Sequence, residues 1–110
     1  MRNRTVPGKY TLGSWQSLRA RSAQEVLEHE VIATEHLLVA RCVYDEDSDF
    51  AEHTHDQEQI TIVEDGRLEI TVEGESLELG PGQMVSIFPK VSHASRVAGG
   101  GSARALNIFH

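Results

Sequence analysis

From residue 60 onward, apolar and polar side chains alternate in short runs: Ile60-Thr61-Ile62-Val63-Glu64, Arg67-Leu68-Glu69-Ile70-Thr71-Val72 and Ser76-Leu77-Glu78-Leu79. A period of two sets alternate side chains on one face, which is the pattern of a half-buried β-strand. Asp65-Gly66 lies between the first two runs and suits a two-residue hairpin turn at positive φ; Glu73-Gly74-Glu75 makes a second turn. Gly80-Pro81-Gly82 then breaks the chain. Met84 to Phe88 and His93 to Ala98 read as strands on either side of a bend at Pro89, and Gly99-Gly100-Gly101 leads to a last strand, Ala103 to Phe109. Upstream, Glu25 to Ile32 and Leu37 to Tyr44 add two more strands.

About eight short strands, with no amphipathic helix of three turns, predict an all-β fold closed as a sandwich or barrel. Residues 1–14 carry Pro7, Gly8 and Gly13 and little periodicity, so they read as an N-terminal arm of the kind that packs on a partner subunit, ahead of a barrel domain over 15–110. Trp15 is expected to pack beneath this arm.

The chain's 110 residues suffice for one compact core. Ten basic and seventeen acidic side chains give a net charge of −7 with no Lys/Arg cluster, which argues against nucleic acid as a partner. The longest apolar runs, such as Leu37-Leu38-Val39-Ala40, stop far short of the roughly 18 to 20 residues of a membrane span. Met1-Arg2-Asn3-Arg4-Thr5 has charge but no apolar stretch behind it, so no secretory signal is read and a cytoplasmic location is the expectation. Cys42 has no second cysteine to pair with and reads as a small buried strand residue.

The chemistry concentrates in the acidic stretch between Tyr44 and Ile60. In an extended chain His53 and His55 project to one face, and Gln59, of the same parity, joins them if the strand continues; Glu58 points away. Two neutral imidazoles at this spacing make a natural bite for a divalent ion, and His93 can close the site from across the barrel. A solvated His-x-His segment in an acidic loop is the competing reading. His29 and His36 flank an apparent turn and His110 is terminal, so these three are expected to be exposed rather than liganding.

These residues resemble the cupin superfamily, a double-stranded β-helix or jelly-roll barrel, over residues 37–109. His53-Thr54-His55, Gln59 and Gly66 stand in the places of its first motif, and Pro81-Gly82 with His93 in those of its second. Asp47 replaces a usual Gly, Phe88-Pro89-Lys90 a usual Pro-x-Gly turn, Val97 a frequent Asn, and Gln59 a usual Glu. The resemblance implies one divalent metal ion (Zn, Ni, Fe, Mn or Cu) held by His53, His55, Gln59 and His93. Because Gln is a neutral donor, the ion would keep more of its positive charge and favour Lewis-acid work.

Three His and one Gln are similar to two branches of small cupins, the cyclases of aromatic polyketide biosynthesis and the pectin-degradation type acting on unsaturated uronates. Leu106-Asn107-Ile108-Phe109 looks like the last strand of the uronate type, which has Asp at the place of Asn107 and a short basic tail beyond. The reading is therefore a non-redox metal enzyme performing cyclisation, isomerisation or dehydration on a carbonyl- or enol-bearing small molecule. A polyketide-like substrate ranks above a uronate; a metal-dependent dioxygenase and a non-catalytic ligand-binding module are the alternatives. Small cupins generally pair, so a homodimer is expected.

Candidate substrate contacts are Arg41, a charge in an apolar strand that otherwise forms a rim ion pair; Gln57 and Ser95, by parity with the ligands; and Val63 and Phe109, which with Val97 can line an apolar mouth. Parity turns Arg96 outward, to a surface salt bridge.

Overall fold

The computed structural model describes residues 3–19, 28–46 and 48–110, with backbone alone at 17–19 and 28–29. Twelve strands and no helix occur among them: β1 (Arg4–Val6), β2 (Tyr10–Leu12), β3 (Gln16–Arg19), β4 (Glu28–Ala33), β5 (Leu38–Tyr44), β6 (Asp49–His53), β7 (Gln59–Asp65), β8 (Leu68–Val72), β9 (Glu75–Leu79), β10 (Met84–Ile87), β11 (His93–Val97) and β12 (Ala103–Phe109). Residues 25–27 of the expected first strand, Asp47 and the His29 side chain lie outside the described residues.

The strands form a six-stranded sheet in the order β10-β7-β12-β5-β4-β3 and a four-stranded sheet in the order β6-β11-β8-β9, with β1 and β2 paired as a separate hairpin. Every pairing is antiparallel. The two sheets pack as a jelly roll, and alternation decides what enters it. Ala40, Cys42 and Tyr44 of β5, Thr61 and Val63 of β7 and Ala103, Ala105 and Asn107 of β12 are buried, with Leu68 and Ile70 of β8 from the other sheet. Small residues on β5 and β12 let the sheets approach, while Leu68 and Ile70 fill the space between.

The expected hairpin across Asp65-Gly66 does not form. The chain reverses there, with Gly66 at φ 74°, but β7 bonds to β10 and β12 and β8 to β9 and β11, so the turn carries the chain from one sheet into the other. The physical reason is burial. Val63 on one strand and Leu68 and Ile70 on the next belong to one core, which they share by facing across the barrel rather than lying side by side. Glu73-Gly74 does close a two-residue hairpin: Val72 pairs with Glu75, and both turn residues have positive φ, 46° and 85°.

Residues 4–12, read as an aperiodic arm, form the β1-β2 hairpin, tied back where the Asn3 side-chain amide donates to the Ala33 carbonyl at 2.7 Å. Trp15 is half-buried, with the Arg41 guanidinium 4.7 Å from its ring centroid.

Candidate metal centre

His53 ends β6 and His93 begins β11, and the two are direct cross-strand partners in the four-stranded sheet. His93 therefore closes the cluster from beside His53, not from across the barrel. A register shift between His93 and Ser95 marks a bulge at this pair. The chain leaves β6 after His53, so the strand assumed to run on to Gln59 is interrupted. His55 sits in the connecting loop, anchored by its carbonyl accepting from the Lys90 amide at 2.8 Å, and Gln59 enters as the first residue of β7 in the opposite sheet. The parity argument thus groups residues that do come together in the fold, but by a path the backbone does not take.

The three imidazoles converge, with ring centroids 4.4 Å apart for His53–His93, 4.9 Å for His55–His93 and 5.7 Å for His53–His55. Their candidate ligand atoms lie within 4.8 Å of one another. Each ring is oriented in the same way: Nδ1 lies at 2.9 Å from the Ala51 carbonyl for His53, at 3.0 Å from that of Gln57 for His55, and at 2.9 Å from that of Val91 for His93. A carbonyl only accepts, so each Nδ1 carries a proton, and in the neutral imidazole Nε2 is then the nitrogen that presents a lone pair. Backbone carbonyls in this role hold the tautomer and the aim of metal-ligating histidines.

Two contacts suit a cation. His93 Nε2 is buried and has no hydrogen-bond partner. Gln59 Oε1 lies 2.9 Å from His55 Nε2, an acceptor against a lone pair. The Gln59 Nε2 group is already engaged, donating to Thr61 Oγ1 at 2.8 Å, so its oxygen is the end facing the imidazoles. Three nitrogen lone pairs and one amide oxygen fit a divalent ion. Burial, aided by repulsion from the neighbouring His53 and His55, holds His93 below its ordinary pKa, which keeps it neutral. His53 is exposed at the mouth and His55 half-buried, its ring edge against Phe109 at 5.6 Å between centroids.

The cluster opens into a cavity of about 460 Å³ between the sheets. Phe50, Leu68, Ile70, Ile87 and Phe109 supply apolar wall, and Ser95 lines it too. Its floor is polar. Gln59, Thr61, Asn107 and Tyr44 form a hydrogen-bonded series running inward from His55. Burial pushes the Tyr44 phenol far above its ordinary pKa and raises the Cys42 thiol as well, so both are neutral. Sequence reasoning passed over Tyr44 and treated Asn107 only as a departure from an expected Asp. The available signal was parity: both share the inward register of Ala40, Cys42, Ala103 and Ala105, where a polar side chain has to find a partner.

Of the other sequence candidates, Val63 is buried in the apolar core and does not line the cavity. Gln57 borders a second, more open hollow with His36, Leu37 and His110. Arg41 has the opposite register from Ala40 and Cys42 and projects from the other face of β5, where it pairs with Glu64 at 3.5 Å and Glu30 at 3.9 Å. Arg96 meets Glu69 at 3.1 Å on the surface, as parity indicates, and Glu58 turns away from the cluster to accept from Ser86 Oγ at 2.9 Å.

A jelly-roll barrel with three converging imidazoles at its mouth defines a class, and sequence comparison agrees: the Cupin domain model matches residues 40–109. The chain belongs to the cupin family. Its fold is similar to that of KdgF from Halomonas sp., at 23% identity and TM-score 0.72, over 88% of this chain and 84% of that one. It is also similar to an RmlC-like cupin from Shewanella frigidimarina NCIMB 400, at 16% identity and TM-score 0.76 over 99% and 93%. The FeII form of HppE is similar at 16% identity and TM-score 0.80, over 98% of this chain and 64% of that one. No curated protein sequence matches the chain.

Proposed function

We propose that this cupin is a metal-dependent, non-redox enzyme acting on a neutral carbonyl- or enol-bearing small molecule, by cyclisation, isomerisation or dehydration. The observation that carries this reading is the pairing of an anion-free donor set with a cation-free pocket. His53, His55, His93 and Gln59 offer only neutral donors, and among the described residues lining the cavity there is no Lys or Arg. When bound, a divalent ion would supply Lewis acidity toward a substrate oxygen, undiminished by any anionic ligand.

The chain's own residues do the rest. Phe50, Ile70 and Phe109 exclude water and favour a flat apolar body. Tyr44, kept neutral by burial, and Thr61 hold the floor by hydrogen bonds without charge. Asp49 and Glu52 line the cavity at its exposed side, where their carboxylates repel anions. A uronate fits less well. Its carboxylate requires a cation, and Arg41, the side chain offered for that task by the sequence, is engaged with Glu30 and Glu64 on the far face of β5.

Metal analysis of the purified protein, then turnover of the reloaded apoprotein on a panel of neutral enolic substrates and an unsaturated uronate, with and without O₂, tests the reading. Metal-dependent, O₂-independent conversion of a neutral substrate is expected. Efficient conversion of the uronate, lost on Arg41→Ala, would overturn the substrate assignment. O₂ consumption would transfer the protein to the dioxygenases, and tight ligand binding without turnover would make it a binding module.

A further inference from the structure

We propose that Asn107 is a positioning residue that decides which end of the Gln59 amide faces the histidine cluster. The inference rests on reading His53, His55, His93 and Gln59 as the ligand set. Asn107 lies on β12 between β5 and β7, opposite Ala40 on one side and Thr61 on the other, and it is 4% exposed. Its Nδ2 donates to the Tyr44 hydroxyl at 3.0 Å and approaches Cys42 Sγ at 3.4 Å. Its Oδ1 accepts from Thr61 Oγ1 at 2.6 Å and, at 3.4 Å, from Gln59 Nε2.

The direction of each bond follows from the one before. A hydroxyl has one proton. Thr61 gives its proton to Asn107, so its oxygen is left to accept, and Gln59 Nε2 supplies that bond at 2.8 Å. With its NH₂ group held inward, Gln59 turns Oε1 outward to 2.9 Å from His55 Nε2. Reversing the Asn107 amide would reverse the whole series: Tyr44 would donate to Oδ1, Asn107 would donate to Thr61, Thr61 to Gln59, and the Gln59 NH₂ would point at His55. That polarity satisfies an imidazole lone pair and repels a cation. The polarity present does the opposite. The hydroxyls of Tyr44 and Thr61 can each donate or accept and so follow the amide between them, whose donor end also faces Cys42 Sγ; the side chain with a fixed donor end and a fixed acceptor end is Asn107, and it thus sets the chemistry of a ligand it reaches through a hydroxyl. Asp at this position would offer acceptors alone, drawing protons from both Tyr44 and Thr61 and leaving Gln59 in the cation-accepting direction.

Co²⁺ serves as the probe, its dissociation constant measured by chelator competition and its visible absorption recorded for each variant, together with apoprotein melting. Thr61→Val, nearly isosteric, and Asn107→Leu are expected to weaken Co²⁺ about tenfold or more, the usual effect of removing support from a ligand, and to alter the Co²⁺ spectrum. Thr61→Ser should keep wild-type affinity and spectrum, and Asn107→Asp, which keeps the polarity and adds a negative charge, should bind Co²⁺ at least as tightly as wild type. In a Gln59→Ala background Asn107→Leu should have no further effect on affinity, because the residue acts through Gln59. Wild-type affinity in Thr61→Val and Asn107→Leu, or an equal loss with and without Gln59, would overturn the positioning role while the metal reading stands. A wild-type chain that binds no Co²⁺ would overturn the ligand set, and the proposal with it.

Discussion

His53, His55 and His93 share one device, an Nδ1–H given to a backbone carbonyl, so that the ligand atom is aimed before any ion arrives. They differ in burial, and the consequences of substitution differ accordingly. His53 is exposed and His55 half-buried, so His53→Ala with His55→Ala should remove bound metal while the barrel melts nearly as before; stoichiometric metal in that double variant, measured by elemental analysis, would refute the ligand assignment. The buried thiol and phenol carry a pH prediction. Both pKa values are raised in the folded state from 9.0 for Cys42 and 10.0 for Tyr44, so both groups stay protonated when folded and ionise on unfolding. Their contribution is fully present below pH 9 and is lost as pH rises above it, because the unfolded chain releases protons the folded chain retains. Urea midpoints should therefore fall as pH rises from 9.0 through 10.0, less steeply in Cys42→Ala.

The strands show how two glycine turns that look alike in the sequence differ in consequence. At Gly74 a Cβ would meet nothing within 4 Å, so Gly74→Ala should incur only the cost of positive φ, about 1 kcal/mol. At Gly66 a Cβ would come within 2.8 Å of the Ala103 Cα and would meet the Ser102 carbonyl, because here the chain passes between the sheets beside β12. Gly66→Ala should be the more damaging of the two by well over 1 kcal/mol in chemical denaturation, since backbone cannot yield as a flexible side chain can. Equal effects would mean that the crossing at Gly66 is looser than its contacts indicate. Asn in place of Glu73, which sits at φ 46°, should stabilise the β8-β9 hairpin by a few tenths of a kcal/mol, because Asn tolerates that region better.

For the molecule as a whole, the N-terminal hairpin presents Tyr10 and Leu12 to solvent at 51% and 57% exposure, and the sheets end in the edge strands β3, β10, β6 and β9. Exposed apolar side chains and open sheet edges both favour association, and we propose that two copies pair through this hairpin. Sedimentation at micromolar concentration should show a dimer that Tyr10→Glu with Leu12→Glu dissociates; a monomeric wild type would reject it. The net charge of −7 and the carboxylates of Asp49 and Glu52 make the surroundings of the cavity electronegative.

What the sequence determined alone was the local physics. Alternation of period two marked most strands, because half-burial of a strand is written in neighbouring residues; it turned Thr61 and Val63 inward and made Cys42 a buried strand residue, as they are, while the same parity for Tyr44 and Asn107 went unread. His53, His55, Gln59 and His93 were legible as a set because of the cupin-like spacing of two motifs, even though β6 ends before His55 and Gln59 comes from the opposite sheet. Partners remote in the chain were not legible. That Asp65-Gly66 joins two sheets, that His93 lies beside His53, that Arg41 turns to Glu30 and Glu64, and that Asn107 meets Tyr44 across 63 positions all depend on which faces bury one another. Periodicity specifies the face a side chain takes; only the closing of the barrel specifies what stands opposite it.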